Sequence, residues 1–449
     1  METKKKGFPV AFWVCSCSEI FERLAYYLGR SLILIFVTAS VATGGLGLSD
    51  TVAANMQSNL TAFSYLLPLF GAVIVDKYIG ARYTTPVGMF IAAAGYFTGG
   101  IAKSSAGVYA MIFLVSLGLA LFKNGAIIGR VITDKSQMDP AFSMRYTLVN
   151  VGAFIGTFLV GILYKDVFAK DGVLGFAPCF KMAALMMVLG GLWYIFVCWR
   201  FLGDLGKLPF KKTLTEEEKA AEAKKKEETG TKQPLTTIEK KRIGAIFVAS
   251  LFSIVFWIFW YLGYMPVYFY WAENMDWVVA GYQVPSTWFD AANSLFCVIL
   301  GPVTAALWKK LAARPQGDMS LFRKTGLGIA IIGVGYLFYA AIDIMRGGEK
   351  ASVLWLIVFA FLLTMGEMFF SPLGHSFISK YSPSRYLAVM MSVWGFATFI
   401  AAKSYGPVYG LLFGGKIEFK VACIGVAVVS FAAALIMIAL DKTLSALVD

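Results

Sequence analysis

Twelve apolar stretches, each long enough to cross a membrane, limit what this 449-residue chain can fold into. About 20 apolar residues suffice for one helical crossing of a bilayer. The stretches are residues 9–41, 50–76, 84–102, 106–131, 141–164, 174–202, 242–271, 286–309, 322–345, 352–379, 386–412 and 418–440. Only 15% of the residues are charged, against about 25% in soluble domains. The sequence therefore predicts an all-α membrane protein with 12 transmembrane helices.

One long polar segment separates the sixth predicted span from the seventh. It runs from Gly203 to Lys241 and contains TEEEKAAEAKKKEETGTKQ, where most residues are charged or small. We therefore predict two six-helix halves, residues 1–202 and 242–449, joined by a charged linker, residues 203–241. The linker is either a solvated tether or a lateral helix that regulates the two halves.

The net charge of +13 is explained by membrane topology, without a nucleic-acid partner. Lys4, Lys5 and Lys6 precede the first span, and the linker is rich in Lys. Loops with excess Lys and Arg remain in the cytoplasm, so we predict both termini and the linker to be cytoplasmic. The first residues show no signal-peptide pattern. The predicted location is the cell (inner or plasma) membrane, as a multi-pass protein in contact with the lipid bilayer.

The first span contains charges that a lipid-facing helix would exclude. Glu19, Glu22, Arg23 and Arg30 lie between its apolar ends, and each charge at the bilayer centre costs roughly 2.5–3.5 kcal/mol. Together with Tyr26 they recur at spacings of three and four, so they share roughly one helix face. A buried structural ion pair is one interpretation. Because desolvation offsets the attraction within such pairs, we favour a polar transport path or proton relay.

Other polar residues also lie deep in predicted spans. They are Lys123 in span four, Asn150 in span five, Asn293 in span eight, Glu367 in span ten and Lys403 in span eleven. Arg145, Lys181, Asp290, Asp343 and His375 lie nearer span ends, where snorkelling or loop contacts are expected. Lys123 and Glu367 are opposite charges from different halves, an arrangement that suits a central site between the halves.

These charges predict a mechanism. A zwitterionic substrate would place its carboxylate near Arg23 and Lys123 and its amine near Glu367. A carboxylate of the protein would bind a proton when the substrate occupies its basic partner, which links substrate to proton.

Several segments of the predicted spans contain motifs. SEIFERLAYY, in span one, resembles the motif E-x-x-E-R-F-x-Y-Y of the proton-coupled oligopeptide transporters of the major facilitator superfamily, with Leu24 in place of Phe. Five further segments resemble other motifs of this family and occur in the family's order. They are GLALFKNGAIIG, FSMRYTLVNVGAF, WFDAANSLFCVILGP, GEMFFSPLGHSFISKYSP and MMSVWGF. The resemblance covers nearly the whole chain, and it implies the major facilitator superfamily fold in a divergent, short member of bacterial type.

The resemblance also implies site residues. Arg23 and Lys123 would meet the carboxylate of a peptide, and Glu367 and Asn293 its amino terminus. Glu19 and Glu22, with Arg23 and Lys123, would serve proton coupling. The remaining substrate-binding residues would be Tyr26, Tyr27, Asn150, Ser371 and Trp394.

The chain departs from the family pattern near the predicted gate. FWIFWYLG places Tyr261 and Leu262 where the family has a Glu-Gln pair, and Asn124 replaces the Pro that follows the lysine. The family pairs that Glu with the lysine, so Lys123 needs another anion, for which we expect Glu19, Glu22 or Glu367.

Proton-coupled symport of di- or tripeptides, or of peptide-like solutes, by alternating access is the predicted function. Two alternatives are a major facilitator carrier for another small organic solute, by uniport or antiport, and a non-transporting membrane receptor. The chain has no P-loop, H-E-x-x-H motif or nucleophile elbow, so we predict no enzyme activity. We predict no cofactor or metal, only the proton as coupling ion, and a monomer. The six cysteines have no metal-ligand spacing and are interpreted as packing residues.

Overall fold

The computed structural model is almost entirely helical, as the apolar stretches predict. It describes residues 7–132, 137–209, 235–315, 319–370, 378, 382 and 386–446. Most of the predicted linker lies outside these residues. Eight helical segments are long and apolar enough to cross a membrane, and Trp355–Phe370 is a shorter apolar helix. The chain is accordingly a helical membrane protein.

Contacts divide the chain into two units that each bury their own helices. Unit 1 comprises Met1–Ser49 and Phe63–Leu214, and unit 2 comprises Asp50–Ala62 and Thr215–Asp449. The first residues of the second helix therefore group with unit 2, although they precede most of unit 1 in sequence.

The first half of the chain forms eight helices with short connections. They are α1 (Val10–Thr38), α2 (Asp50–Lys77), α3 (Ala81–Gly100), α4 (Ser105–Leu121), α5 (Asn124–Val131), α6 (Met138–Ile162), α7 (Phe176–Trp193) and α8 (Trp199–Leu202). One π-helical turn extends α6 over Leu163–Val167, and another joins α7 to α8 over Tyr194–Cys198. Within unit 1, α1 packs against α6 and α7, and α3 packs against α4 and α7.

The described residues of the second half form eight further helices. They are α9 (Thr237–Leu262), α10 (Met265–Tyr268), α11 (Tyr270–Asn274), α12 (Trp288–Ala312), α13 (Leu321–Met345), α14 (Trp355–Phe370), α15 (Leu387–Phe413) and α16 (Phe419–Ala446). Within unit 2, α13 packs against α14 and α16, α9 against α15, and α12 against α14. Helix α9 begins five residues before the predicted span because Thr236 and Glu239 form a capping box at its start.

Four two-residue strands lie in the connections of unit 2. They are β1 (Met275–Asp276), β2 (Val278–Val279), β3 (Tyr282–Gln283) and β4 (Ala351–Ser352). Strands β2 and β3 form an antiparallel hairpin, and β1 pairs in parallel with β4. The pairing of β1 with β4 joins the loop after α11 to the loop before α14.

Two glycines bring α6 close to the charged helix α1. A Cβ built at Gly152 would lie 2.9 Å from the carbonyl oxygen of Ile20, and one at Gly156 would lie 2.5 Å from that of Leu24. Small residues at this spacing let helix backbones approach closely in membranes. The close approach holds the α1 turn that contains Arg23 against α6.

We expect Gly156→Val to destabilise unit 1, because the new side chain meets a backbone carbonyl that cannot move aside. Overpacking of this kind costs about 1–3 kcal/mol. Gly425→Val is the matched control, since a Cβ at Gly425 meets no atom within 4 Å. Thermal unfolding of the detergent-solubilised protein should show a lower midpoint for Gly156→Val alone. Equal midpoints for the two variants would contradict the close packing.

Candidate substrate and proton site

The first polar cluster lies on α1, where two buried carboxylates follow one another by three residues. Glu19 and Glu22 are each about 1% exposed. The guanidinium of Arg23 forms a two-pronged ion pair with Glu22: its Nε and Nη2 donate to the two carboxylate oxygens, the latter over 2.7 Å. The side chain of Arg23 is still 29% exposed. This arginine is therefore paired and also accessible to a ligand.

Aromatic rings surround the same arginine. The guanidinium carbon of Arg23 lies 5.2 Å from the ring centre of Tyr26, a distance typical of cation–π attraction. Tyr27 contacts Tyr26 edge to face, with ring centres 5.3 Å apart.

Asn150, on α6, is half-buried and donates from its amide to the backbone carbonyl of Tyr146 at 3.0 Å.

Glu19 pairs with Arg145, a residue for which the sequence suggested only snorkelling near a span end. The Nε of Arg145 lies 2.9 Å and 2.8 Å from the two carboxylate oxygens of Glu19. The snorkelling interpretation is wrong, because α6 packs along α1 and turns this arginine toward a buried carboxylate. No signal in the sequence assigns Arg145 to Glu19, because Arg23, four residues further on, is the nearer candidate cation.

Asn124 also contacts Glu19, from the start of α5. Its side-chain amide donates to the carbonyl of Cys15 at 2.8 Å and to Glu19 Oε1 at 3.2 Å. The family-like motif has Pro at this position, and the amide supplies hydrogen bonds that Pro lacks. Asn124 was noted in the sequence only as a departure from the motif, and its role as a partner of Glu19 emerges from the structure.

Lys123 lies where the fourth predicted span is broken. Helix α4 ends at Leu121 and α5 begins at Asn124, while the backbone at Phe122 is extended (ψ 96°). The Lys123 ammonium donates to the carbonyl oxygen of Pro68 at 2.6 Å. Broken membrane helices often mark binding sites, because their ends present unpaired backbone groups and side chains to a ligand.

The second polar cluster lies in unit 2, around Glu367 on α14. Glu367 is 8% exposed, and Asn293 on α12 donates from its amide to the carboxylate at 3.2 Å and to Thr364 Oγ1 at 2.8 Å. The thiol of Cys297 lies 3.8 Å from the same carboxylate oxygen. Among the described residues, no Lys or Arg forms an ion pair with Glu367. A neutral amide and a thiol thus contact the Glu367 carboxylate.

Two of the predicted substrate-binding residues remain, Trp394 and Ser371. Trp394, on α15, is 7% exposed and stacks on Phe370, with ring centres 6.3 Å apart. Ser371 lies outside the described residues, as does His375. The structure thus brings Glu367, Asn293 and Thr364 together, and it places Trp394 against the last turn of α14.

Tyr261 occupies the position where the family motif has Glu, and it belongs to an aromatic and neutral polar group in unit 2. Its ring stacks on Tyr405, with ring centres 4.9 Å apart. The hydroxyl of Tyr405 lies 3.2 Å from both Gln57 Oε1 and Thr61 Oγ1, on the first half of α2. Ser58 on the same helix donates to the carbonyl of Ala402 at 2.7 Å. The sequence analysis noted Tyr261 but missed this group.

These two clusters can bind opposite charges. Unit 1 offers the partly exposed guanidinium of Arg23, which a ligand carboxylate can share with Glu22. Unit 2 offers a carboxylate held by an amide and a thiol. In the described part of the chain, no group of three or more His, Cys, Asp or Glu residues is placed to hold a metal ion.

Known proteins resemble this chain along most of its length. The sequence profile of the POT family matches residues 205–413. The uncharacterized transporter YclF of Bacillus subtilis (strain 168) is 25% identical, over 89% of this chain and 87% of the relative. A di-/tripeptide transporter of Lactococcus lactis subsp. cremoris is 24% identical, over 86% of both chains. A crystal structure of a POT family transporter in complex with 5-aminolevulinic acid has a TM-score of 0.85 and 23% identity, over 98% of both chains, so the fold is shared.

Proposed function

We propose that this chain, a member of the POT family of transporters, is a secondary active transporter that moves di- or tripeptides, or peptide-like solutes, by proton symport and alternating access. It is a transporter and not an enzyme. The 5-aminolevulinic acid bound to one structural relative is, like a dipeptide, a small molecule with an amine and a carboxylate. That ligand supports the inclusion of peptide-like solutes.

One observation supports proton coupling above the others: Arg23 forms a two-pronged ion pair with the buried Glu22 while part of its side chain remains exposed. A substrate carboxylate that binds Arg23 competes with Glu22 for the same donors. A buried carboxylate that loses its cation is left with an uncompensated charge, at a cost of roughly 3–5 kcal/mol. Proton binding removes that cost, so substrate and proton bind together.

The other end of the substrate is assigned to unit 2. We place the substrate ammonium on Glu367 and Asn293, whose amide also donates to the Glu367 carboxylate. Lys123, at the break between α4 and α5, adds a second cation for the substrate carboxylate and takes part in proton coupling. Tyr26, Tyr27, Asn150, Ser371 and Trp394 complete the substrate-binding residues of the proposal. The transporter is proposed to act as a monomer in the bilayer, without a cofactor.

Uptake of a labelled dipeptide into proteoliposomes tests this function. An inward proton gradient should drive accumulation above the external concentration, and collapse of the gradient with a protonophore should abolish it. Flux that is independent of the gradient would instead indicate a carrier for another solute or a uniporter. Binding without any flux would indicate a receptor, and either result would overturn proton symport.

The proposed architecture has twelve spans in two halves in the cell membrane, with both termini and residues 203–241 in the cytoplasm. We therefore expect cysteine introduced at the exposed Glu349 to react with a membrane-impermeant reagent in intact cells, whereas cysteine at the exposed Lys309 should react only after permeabilisation. A background without the six native cysteines keeps the signal specific. The reverse labelling pattern would show that the orientation is wrong.

A further inference from the structure

The two buried carboxylates of α1 form ion pairs with arginines from different helices. Glu22 pairs with Arg23, its own neighbour in sequence, whose side chain is 29% exposed. Glu19 pairs with Arg145 of a different helix, α6. Among the described residues, the charged groups around Glu22 are Glu19 and Arg23 on α1 and Arg145 on α6, and the phenol of Tyr96 on α3 also faces it. The two ion pairs also differ in the contacts that hold each arginine in place.

The cation of Glu19 is held by its surroundings. The ring of Phe142 lies under the Arg145 guanidinium, 5.8 Å from ring centre to Cζ. Gly125 leaves room for the same group, since a Cβ there would lie 2.9 Å from Nη2. Asn124 adds an amide donor to the Glu19 carboxylate. Arg145 is thus held between α1, α5 and α6, whereas the guanidinium of Arg23 contacts Glu22 and Tyr26, which both belong to α1 itself.

We propose that Arg145 is a positioning residue of the carrier: it stays on Glu19 throughout the transport cycle and leaves Glu22 as the carboxylate of α1 that exchanges its cation for a proton. The inference rests on the proposed function and divides the roles of the two carboxylates. Glu19 serves proton coupling indirectly, because its ion pair with Arg145 keeps that arginine away from Glu22. The pair also fixes the start of α5, next to Lys123, against α1.

A double-mutant cycle tests the proposal in proteoliposomes, with accumulation, counterflow exchange and the pH profile of exchange as readouts. Glu19→Gln alone releases Arg145 toward Glu22, so accumulation should fall at least tenfold and the pH profile of exchange should shift. Arg145→Met alone leaves Glu19 without its cation, so a second proton should move per substrate. The double variant Glu19→Gln/Arg145→Met should recover accumulation and the wild-type pH profile, and adding Glu22→Gln should abolish accumulation again.

Two results would overturn the proposal. A double variant that exchanges substrate but does not accumulate it would show that Glu19 itself carries the coupling proton. A KM increase of tenfold or more in Arg145→Met, with coupling unchanged, would show that Arg145 binds substrate. If the wild-type protein shows no gradient-driven accumulation, the proposed function fails instead, so the two failures are distinguishable.

Two further sets of variants guard against a loss of folding. Gly125→Ser displaces the Arg145 guanidinium while keeping both charges, and it should raise the number of protons that move per substrate, as Arg145→Met does. An unchanged proton-to-substrate ratio would count against the proposal. The pair of Arg323 and Asp441, at 2.6 Å in unit 2, is the matched control. Its cycle, Arg323→Met with Asp441→Asn, should leave coupling unchanged, and equal effects from both cycles would show that any lost ion pair disturbs transport.

Discussion

Substitution of Glu22 by Gln should abolish concentrative uptake and leave exchange of substrate across the membrane intact. In the wild-type protein, an inward gradient of about one pH unit should support roughly tenfold accumulation for each coupled proton. The variant cannot take up a proton at this position, and Arg23 no longer has a charged partner to leave. The labelled dipeptide should therefore only equilibrate, while counterflow, which requires binding but no net proton movement, continues.

The matched control for this experiment is Glu418→Gln. Glu418 belongs to unit 2, is exposed and pairs with Lys420 at 3.1 Å. Exposed ion pairs of this kind contribute about 0–1 kcal/mol, so accumulation should be unchanged. If Glu22→Gln still concentrates the dipeptide, the ion pair with Arg23 is structural. Proton coupling would then have to be sought among other groups, with His375 and Lys403 as the next candidates.

Substitution of Glu367 by Gln should weaken binding of substrates that have a free amino group. A hydrogen bond to a charged group contributes about 1.5–3 kcal/mol, which corresponds to a roughly 10- to 150-fold increase in KM. The glutamine keeps the size of the side chain and its contact with Asn293, so only the negative charge is lost. Initial rates of uptake over a range of dipeptide concentrations give this number.

Two comparisons separate lost charge from lost structure. An N-acetylated dipeptide has no ammonium group, so its KM should be the same in wild type and Glu367→Gln. Asp290→Asn removes another buried carboxylate of unit 2, one that accepts a hydrogen bond from Tyr268. This variant should change the KM of both substrates alike. A similar KM increase for free and acetylated dipeptide in Glu367→Gln would contradict the assignment of the ammonium to this residue.

The sequence was most informative where structure depends on neighbours along the chain. The apolar stretches predicted the helices because helix length and hydrophobicity are local properties, and each predicted span overlaps at least one helix. The spacing of Glu19, Glu22, Arg23 and Tyr26 predicted one polar face of α1 for the same reason. The motif around Lys123 drew attention to this segment, although it did not reveal that the helix breaks there.

Pairing between distant residues could not be predicted in this way. Glu19 and Arg145 are 126 residues apart in the sequence. They form an ion pair because Gly152 and Gly156 let α6 lie directly on α1. Depth along the span suggested snorkelling for Arg145, since a linear pattern does not say which neighbouring helix offers a carboxylate. The stacking of Tyr261 on Tyr405 has the same origin, in the packing of α9 on α15.

The sequence by itself determined that this protein is a helical membrane transporter with charged groups in its spans, because length, hydrophobicity and motif order are written along the chain. Only the tertiary structure decided which charge faces which. Burying a charge in a low-dielectric interior is tolerated when a partner lies within a few ångströms, and that distance is set by how close two helix backbones approach. Glu22 finds its partner next to it in sequence, whereas Glu19 depends on α5 and α6 for Asn124 and Arg145.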